Sequence, residues 1–171
     1  QIEQFLQAGK HVLCEKPVVT NQEAFIRLLA LAKKNKLVFM EAMRPAHQPA
    51  MQAIRKASSR LGILRRALLD YCQYSSRYDK FKEGIIENAF DPTLQGGALM
   101  DIGVYCVASM VMLFGTPVEI TARGWFLPGS IDAAGSLLAE YAGGLQTQLC
   151  YSKVNNSFLP CEIQGEKGCL Q

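Results

Sequence analysis

The first forty residues combine helical spacing of apolar side chains with two short uninterrupted apolar runs. Residues 1–9 carry their apolar side chains on one helical face and end at Gly9, the stop expected of an amphipathic helix. Residues 11–14 form an apolar run that predicts a strand. Residues 37–40 form a second such run without alternation, which is typical of a strand buried on both faces.

A segment with strong helical periodicity separates the two runs and ends near Lys34. Its apolar stripe comprises Phe25, Leu28, Leu29 and Ala32. Thr20 and Glu23 have the spacing of a capping box, which predicts the start of this helix. Strand, helix and strand at this spacing predict a right-handed parallel crossover. We therefore interpret residues 1–43 as the C-terminal part of a doubly wound α/β domain.

After residue 43 the pattern changes to that of a second domain. A helix is predicted over 49–59, and Gly143-Gly144 is a hairpin turn signal. The segments with strand-like composition are 64–74, 118–127, 134–142, 145–152 and 158–164. They predict a mostly antiparallel, open-faced sheet with helices on one face, so residues 44–171 are interpreted as an α+β domain. Because the chain opens on Gln1 rather than methionine, we expect it to be part of a longer protein.

A helix predicted over 98–114 is apolar on nearly every side, yet Asp101, Tyr105 and Ser109 share one of its faces. Two interpretations stay open. Asp101 can simply favour the positive end of the helix while Tyr105 packs and bonds a backbone carbonyl. Alternatively, the polar face belongs to a site. Gly103 favours the second interpretation, because glycine inside a helix costs about 1 kcal/mol relative to alanine and indicates close approach by another group.

A second candidate position is Glu15-Lys16-Pro17, directly after the first predicted strand. Open α/β sheets bind ligands beyond the carboxyl ends of their strands, which gives Lys16 a functional interpretation beside that of a solvated charge. The Lys16-Pro17 bond is also a candidate cis peptide, since cis bonds occur almost only before proline.

Composition excludes several classes of protein. With 49% hydrophobic and 19% charged residues the chain has ample apolar content for a globular core. Its net charge is +3 and its basic residues are scattered along the sequence, which predicts no nucleic-acid surface. Six cysteines without CxxC spacing and two distant histidines predict no metal site. Cysteines inside apolar runs favour a reducing, cytoplasmic location. The longest apolar stretch, Ile102 to Phe114, is shorter than the roughly 20 residues that a membrane span needs.

The segments Ala8–Pro17, Phe39–Ala42 and Gly96–Val107, in this order and spacing, resemble the Gfo/Idh/MocA oxidoreductases. They are most similar to the dimeric dihydrodiol dehydrogenase and NADP-dependent D-xylose dehydrogenase branch, in which tyrosine stands where many relatives have histidine. The resemblance covers essentially the whole chain. The family's Gly-x-Gly-x-x-Gly fingerprint does not occur in the sequence, and Ser130–Ala134 departs from the paired-aspartate pattern expected there.

The resemblance implies a Rossmann-type domain followed by a substrate-binding and oligomerisation domain. It also implies oxidation of a secondary alcohol of a sugar, cyclitol or cyclic diol by hydride transfer to NAD or NADP. Lys16 would bond the reacting hydroxyl near the nicotinamide, Asp101 would orient the substrate, and Tyr105 would transfer the hydroxyl proton. A neighbouring ammonium group and an oxidised nicotinamide both favour the phenolate, so this pair makes a workable acid and base.

Further expectations follow from the same resemblance. Glu15 and Pro17, with Lys16, would shape the nicotinamide pocket, while Arg44 and His47 are weaker candidates for substrate contact. The sheet would join a homodimer or a higher homo-oligomer. Without the phosphate-binding loop, the chain by itself is expected to bind dinucleotide poorly. The rival hypothesis is a binding or regulatory protein that keeps this fold without turnover, because architecture does not dictate activity.

Overall fold

The computed structural model describes residues 1–171 and divides into two compact units, Gln1–Arg44 and Pro45–Gln171. The first unit is a parallel β-α-β arrangement preceded by a short helix. Its elements are α1 (Ile2–Gln7), β1 (Val12–Cys14), α2 (Gln22–Lys34) and β2 (Phe39–Glu41). Strands β1 and β2 pair in parallel, with Cys14 opposite Glu41. This arrangement confirms the parallel pairing predicted from the spacing.

Both helices of the first unit pack on one face of the two-stranded sheet. Leu6, Leu28 and Ala32 are buried there, and Val12 and Phe39 pack against them. The opposite face is not covered within this unit. Leu13 is 72% exposed and Met40 is 42% exposed, so the prediction that residues 37–40 form a strand buried on both faces is wrong for this chain.

The predicted capping box is also wrong. Asn21, rather than Thr20, is the N-cap of α2, and its side-chain oxygen accepts a hydrogen bond from the Ala24 amide at 2.8 Å. Asn21 has the extended backbone of an N-cap, so its short side chain reaches the Ala24 amide three residues ahead, whereas a Thr20 cap would bind the Glu23 amide.

The second unit contains a six-stranded sheet in the order β4-β5-β6-β3-β7-β8. Its elements are α3 (Pro49–Ser58), β3 (Leu64–Cys72), α4 (Ser76–Lys82), α5 (Val104–Phe114), β4 (Glu119–Leu127), β5 (Ile131–Glu140), β6 (Gln146–Ser152), β7 (Glu162–Gly165) and β8 (Gly168–Leu170). Every neighbouring pair is antiparallel except β3 and β6, which are parallel. The predicted fold class, α/β followed by a mostly antiparallel α+β unit, is confirmed.

Helices α3 and α5 lie on the same face of this sheet. The main core joins α5 to β3, β5 and β6 through Leu69, Met110, Ala139 and Leu149. A second cluster joins Ile54 of α3 to the β3 and β7 end of the same face. The other face carries alternating, mostly polar side chains such as Ser136 and Gln148, as an open-faced sheet requires.

Several predicted boundaries differ from the structure. The strand predicted over 64–74 ends at Cys72, and the one predicted over 134–142 begins at Ile131. The one predicted over 158–164 begins only at Glu162, as β7, and β8 was not predicted. Phe158 is 96% exposed because residues between β6 and β7 form a loop, where apolar composition alone had suggested a strand.

One helical run, Pro92–Phe114, is long and apolar enough to cross a membrane by length and composition alone. The sequence had indicated only Ile102 to Phe114, because the preceding turns are less apolar. The run joins 3-10, π-helical and α-helical turns, and it packs on the sheet through Ala98, Ile102 and Cys106. The core helix of a soluble protein has the same features.

Candidate active site

In the first unit, Glu15-Lys16-Pro17 forms the turn that leaves β1, and the Lys16-Pro17 peptide bond is cis, as predicted. Glu15 is exposed and Lys16 is half-buried. Two contacts to the end of β2 hold this turn. The Val18 amide donates to the Glu41 carboxylate at 2.9 Å, and the Ala42 amide donates to the Cys14 carbonyl at 2.7 Å. The turn is therefore fixed by an acid from the neighbouring strand.

Arg44 and His47 are the first and last residues of a short 3-10 turn, and both are exposed. Their predicted contact with substrate stays a prediction.

In the second unit, Asp101 and Tyr105 lie on the continuous helical run that the sequence predicted, but its start is not α-helical. Leu99–Gly103 is a π-helical turn, and α5 begins at Val104. Single π-helical turns inserted in helices are frequent at functional sites. Asp101 and Tyr105, two of the three predicted catalytic residues, therefore lie four positions apart on one helical run, and their shared site stays a prediction.

The Asp132 side chain holds this π-helical turn, and Gly97 leaves room for it. The Asp132 carboxylate, at the start of β5, accepts a hydrogen bond from the Leu99 amide at 2.6 Å. Gly97, with φ +134°, leaves the space that this carboxylate occupies, because a side chain there would overlap it. A β-carbon on Gly103 would lie 2.8 Å from the ring of Tyr151, so the close approach predicted for Gly103 is that of a core tyrosine.

Asp101 is bound by a buried lysine that the sequence had not indicated. The Lys153 ammonium group forms an ion pair with the Asp101 carboxylate, and the side chains are 5% and 35% exposed respectively. Both residues line a cavity of about 350 Å³, together with Gln73, Tyr74, Ser75, Ser76, Arg77 and Ile102. A carboxylate beside hydroxyl and amide groups is suited to binding a ligand rich in hydroxyls.

Lys153 and Asp132 were missed because their signals depend on the sheet. Lys153 follows β6 and Gln73 follows β3. The two strands are parallel, so their carboxyl ends meet at one edge of the sheet. The sequence predicted an antiparallel sheet, in which these residues need not meet. Asp132 was missed because the predicted strand began at 134, so the true start of β5 and its contact with Leu99 were not foreseen.

The Tyr105 ring packs against Tyr71 of β3, with ring centroids 6.1 Å apart.

Burial raises the pKa of Tyr151, and the Asp132 carboxylate adds to this effect. Burial also raises the pKa of Cys72 to about 11 and that of Cys106 to about 12, so both thiols stay protonated near neutral pH. No group of three or more His, Cys, Asp or Glu side chains is arranged to hold a metal ion.

The residues present fit one end of a dinucleotide rather than the whole of it. The turn at Lys16 stands beyond the carboxyl ends of two parallel strands, where doubly wound domains bind nucleotides. The glycine-rich loop that cradles the pyrophosphate in such domains does not occur in the chain. Lys16 belongs to the first unit, and its meeting with Asp101 and Tyr105 stays a prediction.

Comparisons with known proteins match both units. Residues 1–43 match the model of an oxidoreductase family with an NAD-binding Rossmann fold, and residues 52–171 match the GFO/IDH/MocA C-terminal domain. The crystal structure of KijD10, a 3-ketoreductase from Actinomadura kijaniata in complex with NADP and TDP-benzene, superposes with a TM-score of 0.84. It is 25% identical, over 96% of this chain and 50% of that chain.

Curated relatives share more of the sequence. The scyllo-inositol 2-dehydrogenase (NADP(+)) IolU of Bacillus subtilis (strain 168) is 43% identical over 97% of this chain and 50% of its own length. The trans-1,2-dihydrobenzene-1,2-diol dehydrogenase of Mus musculus is 33% identical over 97% of this chain and 49% of its own. The chain thus spans about half the length of the curated relatives it matches. The chain belongs to the GFO/IDH/MocA family of oxidoreductases.

Proposed function

We propose that the full-length protein carrying this chain is an NAD(P)-dependent dehydrogenase that oxidises a secondary alcohol of a sugar, cyclitol or cyclic diol. The observation that carries the proposal is the position of Asp101, which lines a polar cavity one helical turn before Tyr105. The printed activities of the Bacillus and mouse relatives, an inositol dehydrogenase and a dihydrodiol dehydrogenase, support this substrate class.

Each predicted residue has a role that its chemistry allows. NAD(P), when bound, supplies the hydride acceptor. Lys16 donates a hydrogen bond to the reacting hydroxyl oxygen, and Tyr105 takes the proton that this hydroxyl loses as the carbonyl forms. Asp101 accepts a hydrogen bond from a substrate hydroxyl and so orients the ring. Glu15 and Pro17 shape the nicotinamide end of the pocket, and Arg44 and His47 are secondary candidates for substrate contact.

The proposal is tested in the full-length protein by steady-state oxidation of a panel of inositols, pentoses and cyclic diols with NAD and NADP. Tyr105→Phe is expected to lower kcat by about 10²- to 10⁴-fold, since it removes the group that takes the proton. Lys16→Met is expected to lower kcat/KM on the same substrates.

Tyr141→Phe is the matched control, because the Tyr141 hydroxyl donates to the Gly115 carbonyl at 3.4 Å and has no proposed catalytic role. Activity that survives both Tyr105→Phe and Lys16→Met would contradict the assignment of these residues. A wild-type protein that binds a polyol without oxidising it would favour a binding or regulatory role instead.

Cofactor binding has its own test on the chain alone. Because the glycine-rich loop is not part of this sequence, calorimetric titration of the 171-residue chain with NAD and NADP is expected to give little or no binding. Micromolar affinity would mean that the residues after β1 and β2 suffice to hold the cofactor.

We also propose that the open face of the six-stranded sheet joins two copies of the full-length protein in the cytoplasm. Trp125 of β4 is 52% exposed and shares this face with Ser136 and Cys150. All six cysteines are free thiols, which suits a reducing compartment. Light scattering coupled to gel filtration tests the assembly: Trp125→Glu is expected to shift the protein to a smaller species, and an unchanged mass would exclude this face.

A further inference from the structure

Lys153 is a buried cation whose surroundings explain why it is tolerated. Its side chain is 5% exposed, and its ammonium group lies 5.8 Å from the centroid of the fully buried Phe90 ring. A buried lysine is costly unless it is paired, and the Asp101 carboxylate supplies the partner. The ring face adds a favourable cation–π contact. The ion pair is therefore a specific arrangement rather than a contact between mobile surface charges.

The backbone of Lys153 is held on both sides. Its amide donates to the Ala133 carbonyl at 2.9 Å, and its carbonyl accepts from the Ser75 amide at 2.8 Å. These bonds join the segments that follow β6 and β3 to the start of β5. The backbone position of Lys153 is thus set by the sheet, independently of the helix that carries Asp101.

Asp101 is not needed as a cap for the start of the helix, because another acid fills that role. The Leu99 amide, near the start of the π-helical turn, is already bound by Asp132 at 2.6 Å. Asp101 lies two residues further along, is half-buried, and reaches Lys153 and the cavity. The interpretation in which Asp101 merely favours the positive end of the helix therefore leaves its buried partner unexplained.

We propose that Lys153 is a positioning residue of the substrate site, acting through Asp101. Its ammonium group holds one oxygen of this carboxylate and so fixes where the carboxylate lies. An ionised carboxylate can accept about four hydrogen bonds, which suits it to the hydroxyls of a polyol. The hydroxyl and amide groups of Gln73, Ser75 and Ser76 line the same cavity. This inference rests on the proposed dehydrogenase function.

The test compares Lys153→Met, Asp101→Asn and the double variant in the full-length protein, with scyllo-inositol as the probe. Lys153→Met is expected to raise KM by about 10- to 100-fold, because the carboxylate loses a charged hydrogen-bond partner. The double variant is expected to match Asp101→Asn alone, since Lys153 acts only through that carboxylate. The control is Lys80→Met, which removes an exposed lysine paired with Glu87 and is expected to leave KM unchanged.

The double variant also guards against a folding defect. Lys153→Met alone leaves a carboxylate without its cation and can fail to fold for that reason. Comparing Asp101→Asn with the double variant then still shows whether Lys153 acts only through Asp101. A double variant at least tenfold worse in KM than Asp101→Asn overturns the inference, as does a folded Lys153→Met with KM within twofold of wild type. In both cases an active wild type leaves the dehydrogenase function standing. A wild type inactive on every polyol overturns that function, and the inference with it.

Discussion

The turn after β1 and the π-helical turn before α5 are held by the same device. In the first unit the Glu41 carboxylate accepts from the Val18 amide, and in the second the Asp132 carboxylate accepts from the Leu99 amide. In each case the acid comes from a strand distant in the sequence, and a predicted catalytic residue lies within two residues of the bound amide. The surroundings differ, because the first turn is half-exposed while the second packs on the core.

The two turns therefore differ in whether neighbouring strands or residues distant in the sequence hold them in place. The first turn depends on two adjacent parallel strands and one acid. The second depends on Tyr151, Asp132 and Lys153, which belong to or follow two strands of the large sheet. We therefore expect the second region to be more sensitive to substitution than the first.

The largest effect is expected from Gly103→Ala. An added β-carbon would lie 2.8 Å from the Tyr151 ring, which is buried and cannot move without disturbing the core. Such overpacking costs about 1–3 kcal/mol, measurable as a lower midpoint in urea denaturation. Gly143→Ala is the control, because no atom lies within 4 Å of its added carbon. Equal effects at both positions would mean that the second region is no more constrained than a surface turn.

A smaller loss is expected from Asp132→Ala, which leaves the Leu99 amide without its acceptor. Loss of a capping carboxylate costs about 0.5–2 kcal/mol. Hydrogen exchange of the Leu99 amide is expected to accelerate, whereas Asp132→Asn keeps an oxygen acceptor and is expected to protect that amide largely as wild type does. Unchanged exchange in Asp132→Ala would show that the π-helical turn is held by other contacts.

Glu41→Ala tests the same device in the half-exposed turn, where we expect a loss of about 0.5–1.5 kcal/mol. Faster hydrogen exchange of the Val18 amide is the direct readout, and Glu41→Gln is the matched control because it retains an acceptor. A greater loss than in Asp132→Ala would reverse the order of sensitivity that we infer from the two regions.

The smallest effect on stability is expected from ionisation of the thiols of the second unit at high pH. Burial, and then the Asp70 charge, raise the pKa of Cys72 from 9.0 to about 11. The unfolded thiol therefore ionises first, so the stability that this group contributes is fully present below pH 9.0 and is lost as the pH rises toward 11. Burial holds the pKa of Cys106 at about 12.

Iodoacetamide labelling followed by mass spectrometry checks these thiols at pH 8. Cys106 is expected to react most slowly, because it is buried and protonated, and the exposed Cys161 faster. Labelling of Cys106 as fast as Cys161 would mean that the core around α5 opens readily.

Sequence patterns predicted the elements best where neighbours along the chain decide the structure. The β-α-β order of the first unit, the cis bond before Pro17 and the hairpin at Gly143-Gly144 agree with the structure. The prediction failed where a local alternative was equally available, as when Asn21 replaced Thr20 as the cap of α2. It also failed where apolar composition marked an exposed loop at Phe158 as a strand.

The sequence by itself determined the order of helices and strands and the family, because periodicity and motif spacing are properties of neighbouring residues, while the catalytic roles of Lys16, Asp101 and Tyr105 stay predictions. Only the tertiary structure decided that β3 and β6 run in parallel, that Lys153 reaches Asp101, and that Tyr151 fills the space beside Gly103. These contacts join residues about 50 to 80 apart in sequence, since burial in a shared core is what brings them together.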